Sequence, residues 1–316
     1  VTITKKIDSI TQIPAEYLKV DPPAPRSVKV ELTGVCNYRC GFCALRNRQE
    51  KAGSIDWELL VRLMGEMRKA GVEELGLFFL GESFTNPELL VQACDMAKNE
   101  FGFPYVFLTT NGSLVTAETL ADLFTCGLDS LKFSINAYDE EQFSKVMGVK
   151  KSLFKKALDN LKLAREVRDA LNSKCGLYAS SIRYDGEQQA KMEAVLKESV
   201  LPFVDEHYWL PLYSMGAFAT KREEELGYRP IAGNQGRIGS LREPIPCWSA
   251  FTEGHITSKG TLSACCFDAS GSWEMADLNK VSFMDGWHSE KFKALRAAHL
   301  AKDISNTVCA ACLAYQ

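Results

Sequence analysis

Three cysteines fall within eight residues, Cys36-Asn-Tyr-Arg-Cys40-Gly-Phe-Cys43, spaced C-x3-C-x2-C. Thiolates select soft metals, and iron–sulfur clusters are held by cysteine. Three clustered thiolates with no nearby fourth suit a [4Fe–4S] cluster with one iron left open, able to bind a small molecule directly. A zinc knuckle short of one ligand, or three unrelated cysteines, are the plainer alternatives, although zinc sites favour C-x2-C pairs. A second group comprises Cys247, Cys265, Cys309 and Cys312. Between its first two members, His255–Thr257 and Thr261–Ser263 flank Ser258-Lys259-Gly260, which reads as a β-hairpin with a glycine turn. A hairpin holds its ends close, so Cys247 and Cys265 can share one metal centre. A helix over Ser289–His299 then returns the chain to Cys309 and Cys312. Structural zinc held by four cysteines is one reading of this group.

These thiols need a scaffold, and the chain supplies alternating strand and helix patterns. Residues 1–26, with Pro22, Pro23 and Pro25 near the end, read as an extended arm. Val28–Thr33 alternates like a strand and runs straight into the first cysteines. Ser54 can cap a helix whose apolar stripe is Ile55, Leu59, Leu60, Leu63, Met64 and Met67. Further strands are expected over Glu74–Leu80, Tyr105–Thr109, Leu131–Ile135, Gly176–Arg183 and His207–Tyr213. Helices are expected from Asn86-Pro87 to about Asn99, over Ala117–Thr125, from Glu140 to Asn172 with a break at Gly148, and over Gln188–Glu198. Strands alternating with helices imply a parallel sheet of βα units. Residues 214–245, rich in glycine and proline, interrupt the pattern and read as a linker. The expected organisation is therefore an arm (1–26), a βα domain (27–213), the linker, and a small domain (246–316) carrying the second cysteine group.

Composition narrows the function classes. A net charge of −3 without a basic run gives no footprint for nucleic acid. No apolar run approaches about 20 residues and no basic-then-apolar leader is present, so neither a membrane span nor a secretion signal is read. Eleven cysteines fit metal ligation in a reducing compartment better than disulfides, which points to the cytoplasm.

The first motif resembles the radical S-adenosylmethionine (SAM) superfamily, whose signature is C-x3-C-x-aromatic-C, with Phe42 in the aromatic slot. Six βα units begun by a cluster loop resemble the partial (βα)6 TIM barrel of that superfamily, in which chemistry sits at the C-terminal ends of strands. Cys247, then Gly260, Cys265 and the distant Cys309-x2-Cys312, resembles the auxiliary-cluster pattern of its SPASM and twitch subfamily. The further cysteines of the full SPASM pattern are missing here, so the twitch type with one auxiliary [4Fe–4S] cluster is implied. The spacing is similar to that of 2-deoxy-scyllo-inosamine dehydrogenase, an aminocyclitol enzyme. The fold expected is α/β, a partial barrel followed by a small α+β auxiliary-cluster domain.

The resemblance assigns residues around SAM. Leu80-Gly81-Glu82 stands where the superfamily has Gly-Gly-Glu, and Glu82 would accept hydrogen bonds from the SAM ammonium group. Ser134 matches a ribose-contacting serine, with Asn136 beside it. Asn111, with Thr110, ends the third strand. An arginine that many relatives use for the SAM carboxylate is replaced by Met147. The plainer readings are a surface glutamate for Glu82 and turn positions for Ser134 and Asn136. Cys94, Cys126 and Cys175 read as buried free thiols, and His207, His255, His288 and His299 as ordinary histidines.

Two residues are candidates for catalysis. Arg183 ends the fifth strand and would hold a polar substrate, a surface ion pair being the plainer reading. Cys266 directly follows a ligand, and adjacent side chains of an extended chain point to opposite faces. Its thiol is then either a buried small group or a hydrogen donor facing the substrate. The expected function is abstraction of a hydrogen atom from a small polar substrate such as a sugar or aminocyclitol by a SAM-derived radical, with oxidation through the auxiliary cluster. Epimerisation with a thiol donor, peptide modification, and a non-enzymatic iron–sulfur electron carrier are the alternatives. The partners implied are the small-molecule substrate and a reductase, flavodoxin or ferredoxin as electron donor.

Overall fold

A computed structural model describes residues 2–48, 53–216, 229–268 and 271–312. The acidic run Glu223–Glu225 and Gly227 lie outside the described residues. Six parallel strands follow in chain order: β1 (Ser27–Val30), β2 (Glu74–Gly76), β3 (Tyr105–Thr110), β4 (Ser130–Ser134), β5 (Gly176–Ile182) and β6 (Glu206–Leu210). They are joined by α2 (Trp57–Ala70), α3 (Pro87–Asp95), α4 (Ala117–Cys126), α5 (Glu140–Met147), α6 (Ser152–Ala170) and α7 (Gly186–Ser199). This is the parallel sheet of βα units expected from the alternation, and the partial (βα)6 barrel that the resemblance implied.

Local chemistry accounts for most boundaries. Helix α2 carries its predicted stripe, with Leu59, Leu60, Leu63, Met64 and Met67 all buried. Its cap is Asp56, whose carboxylate accepts from the Leu59 N–H at 2.9 Å. Ser54 does not cap it; Ser54 instead bridges Thr33 and accepts from the Asn86 side chain. Asn86 caps α3 with Pro87 in its first turn, as read. The break between α5 and α6 falls at Gly148, which sits at φ +64 where a Cβ would approach the Arg39 carbonyl at 2.9 Å. Strand β2 ends at Gly76, short of Leu80, because the segment after it turns over the cluster loop.

Two features are non-local. The hairpin β7 (Glu253–Ile256) and β8 (Thr261–Ser263), with β9 (Glu274–Asp277), does not form a separate sheet. Strand β7 pairs parallel with β1, Lys29 opposite His255, giving one nine-stranded sheet in the order β6-β5-β4-β3-β2-β1-β7-β8-β9. The N-terminal segment is not an extended arm throughout. Ile3–Thr11 forms helix α1, capped by Thr2, and its Ile3 and Ile10 are buried. It packs under the barrel, with Lys6 pairing Glu74 at 3.4 Å and Thr4 donating to Glu206 at 2.5 Å. Helices α8 (Phe283–Trp287) and α9 (Glu290–Leu300) complete the described fold. Among the described residues no helix is long and apolar enough to cross a membrane.

Candidate active site

Strand β1 delivers the chain to the loop bearing Cys36, Cys40 and Cys43, and four neighbours hold that loop. The C-terminal carbonyls of α5, which a helix leaves without internal partners, accept its amides: Arg39 N–H donates to Met147 at 2.9 Å and Gly41 N–H to Val146 at 2.7 Å. The end of β3 is tied in by side chains, Asn111 donating to Asn37 at 2.8 Å and Asn37 to Ser113 at 2.9 Å. The segment after β2 lies directly on the loop, with Glu82 N–H donating to the Val35 carbonyl at 2.8 Å. Only glycine fits at position 81, because a Cβ there would sit 1.9 Å from the Thr33 carbonyl oxygen. Downstream, Arg48 forms a two-pronged pair with Glu31, the residue that follows β1 (2.9 and 3.2 Å), and Glu31 also accepts the Ser258 N–H from the hairpin turn at 3.1 Å.

Above the strand ends lies a cavity of about 210 Å³ lined by the three cysteines and by Phe42. Gly81, Glu82, Asn111, Ser134 and Asn136 line it too, so every residue assigned to SAM from the sequence meets there. Glu82 is buried, and its oxygens accept from Thr110 Oγ1 (2.9 Å), Asn111 N–H (2.7 Å) and Phe84 N–H (3.3 Å). Burial outweighs these bonds and raises its carboxyl to about 7. No Lys or Arg among the described residues pairs with it, so a bound ammonium group would meet an uncompensated carboxylate. The side chain of Asn111 is already committed to Asn37 and Ser113. The Asn136 side-chain oxygen accepts from Ile182 N–H at 2.9 Å, anchoring the end of β5. The Ser134 hydroxyl makes no bond within the described residues. Met147 occupies the cavity wall, with its sulfur 3.4 Å from Cys40 Sγ.

The donor set fits an iron–sulfur cluster. Burial pushes the Cys36 thiol up to about 12 and raises Cys40 and Cys43 above the ordinary value. Clustered neutral thiols in a shielded pocket need a strongly bound cation to deprotonate them, which is what a soft metal centre supplies.

The second cysteine group also converges. Cys247, Cys265, Cys309 and Cys312 line one small cavity with Asn234, Ser249 and His299. Cys247 and Cys265 are buried. Burial and the three neighbouring thiols raise Cys309 well above its ordinary value. Cys247 N–H donates to His299 Nδ1 at 3.4 Å and Asn234 donates to Cys265 Sγ at 3.7 Å.

Between these two sites the barrel lumen encloses a third cavity, of about 220 Å³. It shares Phe78 and Thr109 with the first cavity, and Asn234 and Phe267 with the second. Cys266 lines it while Cys265 lines the auxiliary site, so the adjacent thiols do face different spaces, although they stand in a turn rather than a strand. Sequence reasoning missed what surrounds Cys266. Lys29 pairs with Glu253 at 2.8 Å, and Glu253 accepts from or pairs with His255 Nε2 at 2.7 Å. Burial pushes Glu253 up, but Lys29 and His255 outweigh it and hold the carboxyl down at about 2. The available signal was the alternation of Ser27 and Lys29 on one strand and of Glu253 and His255 on another, which places polar groups on one face. Arg183 is exposed and lines none of the three cavities; its backbone N–H donates to Leu210 at 2.9 Å.

Comparisons with known proteins agree with this geometry. Residues 30–174 match the family described as the radical SAM superfamily, and residues 247–313 match SPASM, an iron–sulfur cluster-binding domain. A curated relative is the tungsten-containing aldehyde ferredoxin oxidoreductase cofactor-modifying protein of Pyrococcus furiosus, 27% identical over 116 residues. That match covers 36% of this chain and 31% of the relative, so this chain spans about a third of its length. Among solved structures, BtrN in complex with AdoMet and 2-DOIA superposes with a TM-score of 0.56 at 17% identity, over 87% of this chain and 86% of that one. Streptococcus suis SuiB bound to the precursor peptide SuiA gives a TM-score of 0.65 at 15% identity, over 93% and 71%.

Proposed function

From the premise that this chain is a radical SAM enzyme with an SPASM domain, we propose that it oxidises a small polar metabolite held in the barrel lumen. The observation that carries this reading is the lumen cavity itself, which borders both cysteine sites through shared wall residues. A molecule in it can face the SAM cavity on one side and the auxiliary site on the other. Its volume suits a sugar-sized compound, and α1 contributes Ile3, Lys6, Ile7 and Ile10 to its wall, which leaves little room for a peptide. That supports this reading over peptide modification.

When bound, SAM and its cluster would supply a 5′-deoxyadenosyl radical, and the auxiliary cluster an acceptor for one electron. Cys36, Cys40 and Cys43 would hold the first cluster, and Cys247, Cys265, Cys309 and Cys312 the second. Glu82 would receive the SAM ammonium, and Ser134 and Asn136 would lie beside the nucleoside. The mostly apolar lumen wall would limit water around the substrate radical. Lys29, Glu253 and His255 form a buried polar chain at the wall, paired among themselves. A reductase, flavodoxin or ferredoxin would provide the priming electron.

Epimerisation is the second reading, favoured by the Cys266 thiol on the lumen wall, where it could return a hydrogen atom to a substrate radical. Cys266→Ala decides between them. A dehydrogenase variant keeps most of its turnover and yields a product two electrons more oxidised. An epimerase variant forms 5′-deoxyadenosine without epimerised product. Absence of SAM cleavage by the reduced wild-type protein would refute both.

A further inference from the structure

The lumen carries more positive than negative charge. Lys6, Lys29, Lys132 and Arg237 line the cavity, against Glu74 and Glu253. Lys6 is paired with Glu74 and Lys29 with Glu253. Arg237 is held by both carboxylate oxygens of Asp8, at 3.0 and 2.6 Å. Lys132 makes no ion pair and no hydrogen bond among the described residues; its ammonium stands 5.6 Å from the centre of the Tyr208 ring. An aromatic face compensates a cation only weakly.

Lys132 stands at the centre of β4, and Ser134, two residues on and therefore on the same face, lines the SAM cavity. The lysine thus lies one side-chain layer below the place where the radical chemistry would occur. Around it are Tyr208, Phe107 and Thr109, an apolar wall with few polar points. A cation in such a wall, left over after its neighbours are neutralised, is the expected partner of a ligand anion.

We propose that Lys132 anchors the anionic group, carboxylate or phosphate, of the substrate, so that the substrate is an acidic small metabolite rather than a neutral or cationic one. This rests on the lumen being the substrate site. The Lys29–Glu253–His255 chain is already neutralised internally and does not compete for that anion.

The test uses the cluster-loaded protein with SAM present and no reductant, titrated with matched probes: glucose, glucuronate and glucose 6-phosphate, then myo-inositol and its 1-phosphate. Inorganic phosphate serves as the minimal anion. In the wild type an anionic probe should bind at least about tenfold more tightly than its neutral partner, the factor expected for one charge-assisted contact. Glucuronate and the phosphates separate the two anion types. Lys132→Met keeps the aliphatic stem and should abolish the preference, whereas Lys132→Arg should retain it, with SAM binding unchanged in both. Equal binding of neutral and anionic probes, no anion binding at all, or a preference that survives in Lys132→Met overturns the assignment. The oxidation reading fails separately: a Lys132-dependent substrate whose product is at the same oxidation level refutes dehydrogenation but leaves the anion site intact.

Discussion

Replacing Glu82 by Gln tests the proposed SAM pocket where the structure makes the sharpest demand. The carboxyl is buried, held by one hydroxyl and two amides, and lifted from an ordinary 4.5 to about 7. The sign follows from proton linkage. Because the folded-state value is raised, the folded protein binds the extra proton between pH 4.5 and 7, and stability without SAM falls as pH rises through that window. The loss above pH 7 is on the order of 3 kcal/mol, at about 1.36 kcal/mol for each pH unit of displacement. A bound ammonium reverses the preference, so SAM binding must expel the proton. Apparent affinity should therefore drop about tenfold from pH 8 to pH 6 in the wild type, where a group of that pKa becomes mostly protonated. Gln can still accept from Asn111 N–H but loses the bond to Phe84, a change of about 1 kcal/mol in folding. It forfeits the charge-assisted contact to the ammonium, about 1.5–3 kcal/mol, or roughly 10- to 150-fold in Kd. Equilibrium SAM binding to reconstituted protein at the two pH values, with thermal unfolding as the folding control, measures both effects. A wild-type Kd that does not change with pH, together with an unchanged Kd in Glu82→Gln, would refute the pairing.

Other perturbations bear on the scaffold. Gly81→Ala should displace the segment after β2 from the Thr33 carbonyl and lower cluster occupancy of the first site, read as a fall of iron from about eight towards about four per chain. Replacing Cys36, Cys40 and Cys43 together by alanine should abolish SAM cleavage and leave about four irons in the distal site, an assignment that full cleavage activity would reverse. Glu31→Gln breaks a buried two-pronged pair with Arg48, whose partners are only 1% and 11% exposed, and should cost about 3–5 kcal/mol in denaturant unfolding; a change below about 1 kcal/mol would show that the pair does not hold the cluster loop.

The amino-acid order alone determined what is local. Residue type and spacing marked both cysteine groups, and Glu82 at the end of an apolar run, and the structure brings the members of each group to one cavity. Helix stripes, the Asn86-Pro87 start and the Gly148 break depend on neighbours within a turn or two, and they fell where expected. Tertiary structure decided what depends on residues far apart in the chain. The pairing of β1 with β7 joins positions more than 220 residues apart, and neither strand's pattern names its partner, because parallel strands offer the same row of amides and carbonyls to any neighbour. That one pairing sets Glu253 and His255 beside Lys29 and extends a single sheet from the barrel to the hairpin. The amphipathic Ile3–Thr11 was masked by the prolines after it, and its helix is stabilised by packing under the barrel rather than by propensity. The support of the cluster loop by the Val146 and Met147 carbonyls involves backbone groups, which leave no mark on residue type. That Lys132 has no partner among the described residues has the same origin: a lysine in a strand looks like any surface lysine until closure of the sheet decides which face surrounds it.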